Sequence, residues 1–590
     1  MALGARLVKA AAPPRDEWPY HTAACAVLST LFLRSGDRRL EAETFLSAGY
    51  GIRISIQCKQ SGWAPLNATA EVTQPPRTKG ILVSPEFGTP FLIAGQMFEF
   101  RPALRKWLAV EKVKHADQLY VHRGEILVRR SANVGASVMT FTPHIGALIS
   151  DHFFRVRPRD VKDRGWLWAF LRAAKTRLMM TSAKYGHIIK HLEIPHLNAL
   201  PVPEVPAKWR KHFDVRFEEI LELREAAYKA SLEADERFTN AVGRVQKSDN
   251  GENGFELKSA RKLFNRSRRL DAAHYNPIAT DVLRRLAKSG VTETLSQCGY
   301  KVWVPGRYKR VPADNGVTFV DSSSLFDINP ELPKRFADCR FGDDFKGRVK
   351  PGWILMASSG QTYGLVGGAV LANQFYDKKV IANHVIRIVA GTEAKVRPGY
   401  ALVALTHPVL GRPVIKSFAF GSSVPEIDTD DVKRFPITRL PAAEENAIAD
   451  LSEKAADLRA RADLLENAIA AEAEMLIDRF IAGEDLRRIS VGAVTEETVV
   501  ERGISITVSP SENAMTGIEK AKQVCGGDAC IAGTRIPIWV LESARRQGAT
   551  DSDILADYPN LRKQDLGAAW NYVKTHPDEI DRAIAENQAA

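Results

Sequence analysis

The chain has 590 residues, and its 45% hydrophobic and 26% charged content is ordinary for a globular protein of several domains. The formal net charge of +12 favours a polyanionic partner such as nucleic acid. The six cysteines are too scattered for a disulfide framework, and the apolar stretch 23–33 is too short to span a bilayer, so we predict a cytoplasmic protein without a membrane partner.

An internal repeat organises the chain. Motifs recur in the same order at an offset of about 230 residues. Residues 124–127, Gly-Glu-Ile-Leu, recur as 352–355, Gly-Trp-Ile-Leu. The series Ile149, His152 and Arg155 recurs as Ile381, His384 and Arg387. Isolated matches arise by chance but an ordered series does not, so the sequence predicts two copies of one module.

Each copy is predicted to be rich in strands before it becomes helical. The short apolar runs 124–128 and 352–356 open with glycine and indicate buried strands, and 149–156 and 381–389 have the same character. Each copy then closes on a proline-bearing stretch, at 200–203 and 435–438. Because proline disfavours the helical conformation of the residue before it, these stretches are predicted to be extended.

After each proline stretch the apolar period becomes helical, over 207–246 and 442–484. Spacings of three and four residues are typical of a coiled-coil seam, although Arg224 and Ser231 interrupt the first helix. Since single long amphipathic helices rarely stand alone, we expect the two to pack antiparallel with one module at each end. The predicted seam residues are Phe213, Phe217 and Ile220 in the first helix and Ile448, Leu451, Ala455, Leu458, Leu465, Ile469 and Leu476 in the second.

These motifs, in this order and twice over, resemble the specificity subunit of type I restriction-modification systems. The residues that carry the resemblance are 269–272 at a module start, the Gly-x-Ile-Leu strands, the Ile-x-x-His-x-x-Arg strands, the proline stretches and 476–484 at the end of the second helix. The resemblance covers about residues 30–485. It implies an α+β architecture, in which two mixed α/β target-recognition domains are separated by an antiparallel coiled coil.

The resemblance sets the expected domain boundaries. The first target-recognition domain spans 1–206, its helix 207–246, the second domain 257–441 and its helix 442–484, followed by a linker over 485–514. The remaining residues, 515–590, match neither repeat. Their Gly533-Thr534-Arg535-Ile536-Pro537 signature resembles a small antitoxin-like domain of unknown function with a mostly helical, helix-turn-helix character.

Sequence motifs for catalysis are missing. The string Tyr275-Asn276-Pro277-Ile278 lacks the second proline and the aromatic residue that a DNA methyltransferase loop requires, and no phosphate-binding Gly-x-x-x-x-Gly-Lys loop occurs. His187, His191 and His196 could be metal ligands, but the second copy has Ser422 and Glu426 at the first two positions, so surface or capping roles are favoured. We therefore predict a non-catalytic protein with no metal or cofactor of its own.

A reader of duplex DNA needs cationic side chains for phosphate contacts and donors for base edges. The structural alternative is that residues repeated between the copies define the fold, while those that read different half-sites differ. The DNA-binding candidates are Arg77, Lys79, Arg129, Arg130 and Arg155 in the first copy, the linker-side cluster Lys258, Arg261, Lys262 and Arg266, and Arg307, Lys309, Arg310 and Arg387 in the second copy.

The resemblance implies a DNA specificity subunit of a phage-defence restriction system. Each module would read one half of a bipartite duplex target, and the helix pair would act as a ruler for the spacer between the halves. The partners would be two methyltransferase subunits and, through them, restriction subunits, which would supply S-adenosylmethionine, ATP and Mg²⁺ chemistry. Two alternatives stay open: a toxin–antitoxin regulator whose active part is 515–590, and a fused methyltransferase or nuclease.

Overall fold

The computed structural model describes residues 47–183, 191–243, 269, 272–337, 347–360, 364, 366–421, 424–491, 518–520, 528–531, 536–546, 550–551, 554–555, 561 and 563–588. These residues form two compact units. The larger contains both repeats as far as residue 491, apart from residues 308–318 and 333–337, which belong with the C-terminal residues to the smaller unit. The predicted N-terminal extension, the basic cluster at 258–266 and most of the 485–514 linker lie outside the described residues.

The first repeat is a mixed module that ends in a long helix. Its α-helices are α1 (Ala48–Gln57), α2 (Leu66–Thr69), α3 (Arg164–Arg172), α4 (Ala174–Ser182), α5 (Ile194–Asn198) and the long α6 (Ala207–Val242). Its strands are β1 (Trp63–Pro65), β2 (Ala70–Thr73), β3 (Leu82–Val83), β4 (Thr89–Leu92), β5 (Trp107–Leu108), β6 (Ile126–Arg129), β7 (Ser137–Met139), β8 (Leu148–Ile149), β9 (Phe153–Pro158) and β10 (Pro201–Pro203).

The second repeat has most of the same elements in the same order. Its α-helices are α7 (Pro277–Ser289), α8 (Pro398–Thr406), α9 (Arg412–Phe418), α10 (Thr429–Lys433) and the long α11 (Ala442–Ala482). Its strands are β11 (Thr292–Thr294), β12 (Tyr300–Trp303), β13 (Pro312–Val320), β14 (Arg335–Phe336), β15 (Ile354–Ala357), β16 (Ala369–Leu371), β17 (Val380–Ile381), β18 (Val385–Ala390) and β19 (Pro436–Thr438).

The two repeats share the topology of their central sheet, which confirms the duplication predicted from the sequence. The central sheet has the order β2-β9-β6-β7 in the first copy and β12-β18-β15-β16 in the second. Even the register agrees, since Leu127 lies opposite Arg155 and Leu355 opposite Arg387. The proline stretch of each copy pairs antiparallel with an early strand, β10 with β1 and β19 with β11.

The long helices α6 and α11, of 36 and 41 residues, pack antiparallel. His212 Nε2 lies 2.7 Å from Glu472 Oε2, Arg224 Nη1 3.0 Å from Asp463, and Arg237 Nη2 2.9 Å from Glu444. As the residue number rises along α6, its partner's number falls along α11. At 1.5 Å per residue the helices are about 54 and 62 Å long, close to the predicted lengths.

The helix ends follow from local sequence. Each long helix begins directly after a proline, Pro206 or Pro441, whose backbone is extended. Helix α11 ends at Gly483, which has a φ of +83° and donates its N–H to the carbonyls of Arg479 and Phe480. Only glycine adopts this left-handed conformation without strain, so the helix stops there.

The predicted seam forms the contact between the long helices and their modules. One core joins the first module to the N-terminal half of α6 and the C-terminal half of α11, and the second joins the other module to the opposite ends. Each module is also held to the long helix that follows it by a repeated ion pair, Arg164 with Glu218 and Arg397 with Glu453. The buried seam residues are Phe213, Phe217, Ile220, Ile448, Ala455, Leu465, Ile469 and Leu476, while Leu451 and Leu458 are half-buried.

The smaller unit is mostly helical in its C-terminal part, as the sequence predicts. Here β20 (Ile518–Lys520) pairs antiparallel with β21 (Ala529–Ile531), followed by α12 (Ile538–Arg546), α13 (Lys563–Thr575) and α14 (Pro577–Gln588). In the same unit, residues 312–318 of β13 pair with β14. The core of the C-terminal part includes Ile538, Leu541, Leu566, Ala569, Val573 and Ile580.

Candidate nucleic-acid interface

Corresponding loops of the two repeats carry exposed basic residues. In the first copy the chain leaves β2 and continues through Arg77 and Lys79, both exposed. In the second copy the chain leaves β12 and continues through Arg307, Lys309 and Arg310, also exposed. Because both loops follow equivalent strands, the duplication places exposed cationic side chains at the same point in the chain order of each repeat. Such side chains can neutralise phosphates at little desolvation cost.

Arg129 and Arg130 lie at the end of β6 and are only half-buried. The Arg130 Nε donates to the carbonyl of Leu192 at 3.3 Å, which ties it to the module. The Arg129 guanidinium lies 5.8 Å from the ring centroid of Phe98. Burial lowers the pKa of Arg129, and the nearby Asp327 carboxyl opposes that shift. These two arginines therefore face the inner side of the module more than open solvent.

Arg155 and Arg387 were predicted to contact DNA, and their burial argues against that role. Their exposed fractions are 3% and 0%. The Arg155 Nη2 donates to the Tyr120 carbonyl at 2.6 Å, and the Arg387 Nη2 donates to the Ile381 carbonyl at 2.6 Å. The Arg387 guanidinium fixes the chain that enters its own strand, and the Arg155 guanidinium ties β9 to the segment before β6. Both residues therefore stabilise the fold and expose almost no surface to a phosphate.

The repeated histidines have exposed side chains. His152 Nδ1 lies 2.7 Å from Ser131 Oγ, and in the second copy Ser358 Oγ donates to the carbonyl of His384 at 2.7 Å. Both histidines therefore lie beside the serine loop that follows the Gly-x-Ile-Leu strand.

The contact between the two modules was not found from the sequence. Glu99 and Asp327 face each other in an antiparallel bridge. The Phe100 N–H donates to the Phe326 carbonyl at 2.9 Å, and the Ile328 N–H donates to the Phe98 carbonyl at 2.6 Å. A signal was available, because Phe98-Glu99 and Phe326-Asp327 each begin six residues after the end of an equivalent strand, at Leu92 and Val320. We call residues 98–100 and 326–328 the axial contact.

A cleft of about 530 Å³ lies beside the axial contact and is lined by both repeats. The charged side chains that line the cleft include Glu99, Arg129, Arg172, Asp327 and Glu331. Burial and the neighbouring Glu99 carboxylate raise the pKa of Asp327 to about 7, while Arg129 and Arg459 lower it in part. Asp327 is thus partly protonated near neutral pH, which reduces the repulsion between two facing carboxyl groups.

Arg224, which interrupts the predicted seam, is buried in it. Its exposed fraction is 1%, and its guanidinium bonds Asp463 at 3.0 Å and Glu466 at 2.7 Å. Glu466 Oε1 also forms an ion pair with Arg172 Nε at 3.0 Å. Burial alone would lower the pKa of Arg224, but the Glu466 and Asp463 carboxylates outweigh it and raise the pKa. The residue that interrupts the apolar pattern therefore forms the centre of a buried ion network that links α6, α11 and α3.

Two further expectations concern metals and membranes. Within the described ranges no cluster of three histidine, cysteine or acidic side chains is arranged to hold a metal ion. His196 instead accepts the backbone N–H of Glu193 at 3.0 Å through Nδ1, and His187 lies outside the described residues. Among the helices that the structure describes, none is both long and apolar enough to cross a membrane.

The fold and its repeated surfaces define a two-module protein built on an antiparallel pair of long helices. Residues 518–573 match the family described as "Protein of unknown function (DUF433)". A DUF433 member protein from Anabaena variabilis is 42% identical over 16% of this chain and 87% of that chain, with a TM-score of 0.12. The C-terminal segment of the chain belongs to this family.

Other similar solved structures are subunits of type I restriction-modification systems. The S subunit of a type I restriction-modification system from M. genitalium is 12% identical and covers 72% of this chain and 96% of that chain, with a TM-score of 0.21. The HsdS subunit from Thermoanaerobacter tengcongensis is 12% identical and covers 72% and 97%, with a TM-score of 0.22. No curated protein matches the chain. The two kinds of protein found by these comparisons are the same two kinds that the sequence motifs resemble.

Proposed function

We propose that the chain is a non-catalytic DNA-recognition subunit that reads a bipartite duplex target, one half-site with each module. The observation that carries the proposal is the duplication itself. Two modules of one topology sit at opposite ends of an antiparallel helix pair, and each exposes basic residues from the same loop. A duplicated module with pseudo-twofold symmetry suits a target of two separated half-sites, as it does in dimeric DNA-binding proteins.

The proposed partners follow from the absence of catalytic motifs in the sequence. Methyl transfer and cleavage would lie in separate subunits that bring S-adenosylmethionine, ATP and Mg²⁺. Two methyltransferase subunits, one for each half of the pseudo-symmetric helix pair, are the arrangement we propose, with restriction subunits joining through them. The protein would act in the cytoplasm, as part of a defence system against phage DNA.

Selection of random duplexes by the full-length chain tests the proposal. The expected result is an enriched motif of two short half-sites at a fixed spacing. A variant carrying Arg77→Ala and Lys79→Ala should weaken binding through the first module, and one carrying Arg307→Ala and Lys309→Ala through the second. Enrichment of a single contiguous motif, or of none, would contradict the bipartite reading.

A second candidate function rests on the C-terminal DUF433 segment. In this alternative the chain is a regulator whose C-terminal part binds DNA or a protein, and the repeats recruit it. A chain that ends at residue 514 separates the two. If the repeats read DNA, the shortened chain keeps the selected motif; if the C-terminal segment does, the motif disappears.

A further inference from the structure

The axial contact is self-complementary. The acidic residue of the contact is Glu99 in the first repeat and Asp327 in the second. In each repeat, the residue that follows it donates its N–H to a carbonyl of the other repeat, and that carbonyl belongs to the residue that precedes the acidic one. Phe100 does so toward Phe326, and Ile328 toward Phe98. Equivalent segments that exchange equivalent bonds are the mark of a twofold interface between identical surfaces. The two copies in this chain therefore meet as the subunits of a symmetric dimer would.

Buried apolar side chains support the hydrogen bonds. Phe100 and Ile328 have exposed fractions of 4% and 7%. The Arg459 guanidinium lies 4.3 Å from the centroid of the Phe100 ring, and the Tyr228 ring packs edge-on against the same ring at 6.1 Å. Ile328, although it belongs to the second repeat, packs in the core of the first. The contact is thus anchored both on the helix pair and on the opposite module.

Neighbouring polar contacts extend the same junction. The Asn329 Nδ2 donates to Asn467 Oδ1 on α11 at 3.1 Å. The backbone carbonyl of Asn329 accepts a hydrogen bond from Arg172 Nη2 at 3.3 Å. Arg177 of the first repeat lies 3.5 Å from Glu331 of the second. A segment of the second repeat is therefore held by α3 and α4 of the first repeat and by the long helix α11 at once.

We propose that the axial contact, together with the helix pair, fixes the distance and mutual orientation of the two modules, so that the chain reads both half-sites as one rigid body. This inference rests on the proposed function for its consequence on DNA, the length of the spacer. Modules joined by one connection retain hinge freedom, whereas a second connection closes a loop and removes it. A ruler made of helices alone would need no contact between the modules.

If the axial contact fixes the modules, lengthening the two helices should relax the spacer preference. One added heptad in each long helix moves the modules apart by about 10 Å. Hydrogen bonds tolerate only about 3 Å between donor and acceptor, so the axial contact must break. We expect such a chain to bind half-sites with relaxed spacing, because the modules are then joined by the helix pair alone. The inference would be overturned if the lengthened chain selected one new, longer spacer as sharply as the wild-type chain selects its own.

A charge pair tests the contact without changing helix length. Glu99→Lys with Asp327→Lys places two cations at closely opposed positions, while Glu99→Lys alone leaves opposite charges there and serves as the matched control. Amide hydrogen exchange of Phe100 and Ile328 should accelerate about tenfold or more in the double variant and stay near wild type in the control. The double variant should then bind duplexes with spacers one base pair shorter or longer about as well as the native spacer. Accelerated exchange with unchanged spacer preference would overturn the inference.

A disulfide would lock the axial contact instead of breaking it. This test does not require that the doubly charged variant folds. Residues opposite each other at a pair of this kind have Cα atoms about 4.5 Å apart, within the range of a disulfide. Glu99→Cys with Asp327→Cys should therefore oxidise readily in the full-length chain, while either single variant should not form this cross-link. The locked protein should keep the native spacer preference. Failure to cross-link, or loss of that preference on cross-linking, would overturn the inference.

The proposed function can fail separately. If the wild-type chain selects no DNA motif, the recognition role is wrong. The exchange and cross-linking results still decide whether the axial contact holds the modules together.

Discussion

Glu99 and Asp327 face each other across an antiparallel bridge, although they belong to different repeats. The pairing places two acidic groups side by side in a partly enclosed region, with Arg129, Arg459 and Glu331 also close to Asp327. Such an arrangement is stable only if one carboxyl is neutral or if cations compensate both. Here the Asp327 carboxyl has a pKa raised to about 7 by burial and by Glu99.

Stability should therefore depend on pH through Asp327. Because its pKa in the folded chain lies above its ordinary value of 3.8, the contribution is fully present below about pH 4 and is lost as pH rises through about 7. We expect the free energy of unfolding to fall by roughly 2 kcal/mol between pH 5 and pH 8 from this group. Urea unfolding of wild type and Asp327→Asn measures it, and the variant should lack this component. An equal pH dependence in both proteins would contradict the assignment.

Removing Arg224 should destabilise the helix pair strongly. Arg224→Met removes the guanidinium that pairs with Asp463 and leaves Glu466 with Arg172 and the Asn329 side chain. An uncompensated buried charge costs about 3–5 kcal/mol, which denaturant unfolding would detect. The matched control is Arg216→Met, whose exposed ion pair with Glu219 on the same helix should be worth less than about 1 kcal/mol. Comparable losses in the two variants would mean that the buried network adds no stability beyond that of a surface pair.

Two arginines of the second repeat should separate stability from DNA binding. Arg307→Ala should keep wild-type stability, weaken binding to all duplexes and reduce the slope of log affinity against log salt by about 1 if the side chain contacts a phosphate. Arg387→Met should instead lower the midpoint of thermal unfolding, because its guanidinium holds buried carbonyls. A stable Arg387→Met protein with a reduced salt slope would restore the DNA-contact role that its burial argues against.

Truncation at residue 514 should leave DNA selection by the repeats intact. The expected result is an unchanged bipartite motif and, with the methyltransferase subunits present, unchanged methylation at that motif. Sequencing of selected duplexes and a methylation protection assay measure the two. If both activities disappear while the shortened chain remains folded by circular dichroism, the C-terminal segment is the reader.

The arginine residues show where sequence reasoning stopped. Arg155 and Arg387 recur at matching positions, and that recurrence correctly marked them as part of the repeated fold. Their burial was harder to foresee because arginine is normally a surface residue. One signal was present in the sequence, because Arg155 lies in the otherwise apolar run 153–156. The structure buries this run without alternation, as expected of a strand covered on both faces. An arginine within such a run is enclosed along with its neighbours.

The sequence by itself determined the duplication, the proline-bounded strands and the two long helices, because each of these is written in local order and in periods of two to four residues. The structure decided which arginines face solvent, how Arg224 is compensated inside the helix pair, and that Glu99 meets Asp327. The last two features depend on packing between segments more than 200 residues apart in the chain. No local pattern encodes such distances, since the energy of a buried charge or a β-bridge is set by neighbours that only the folded chain brings together.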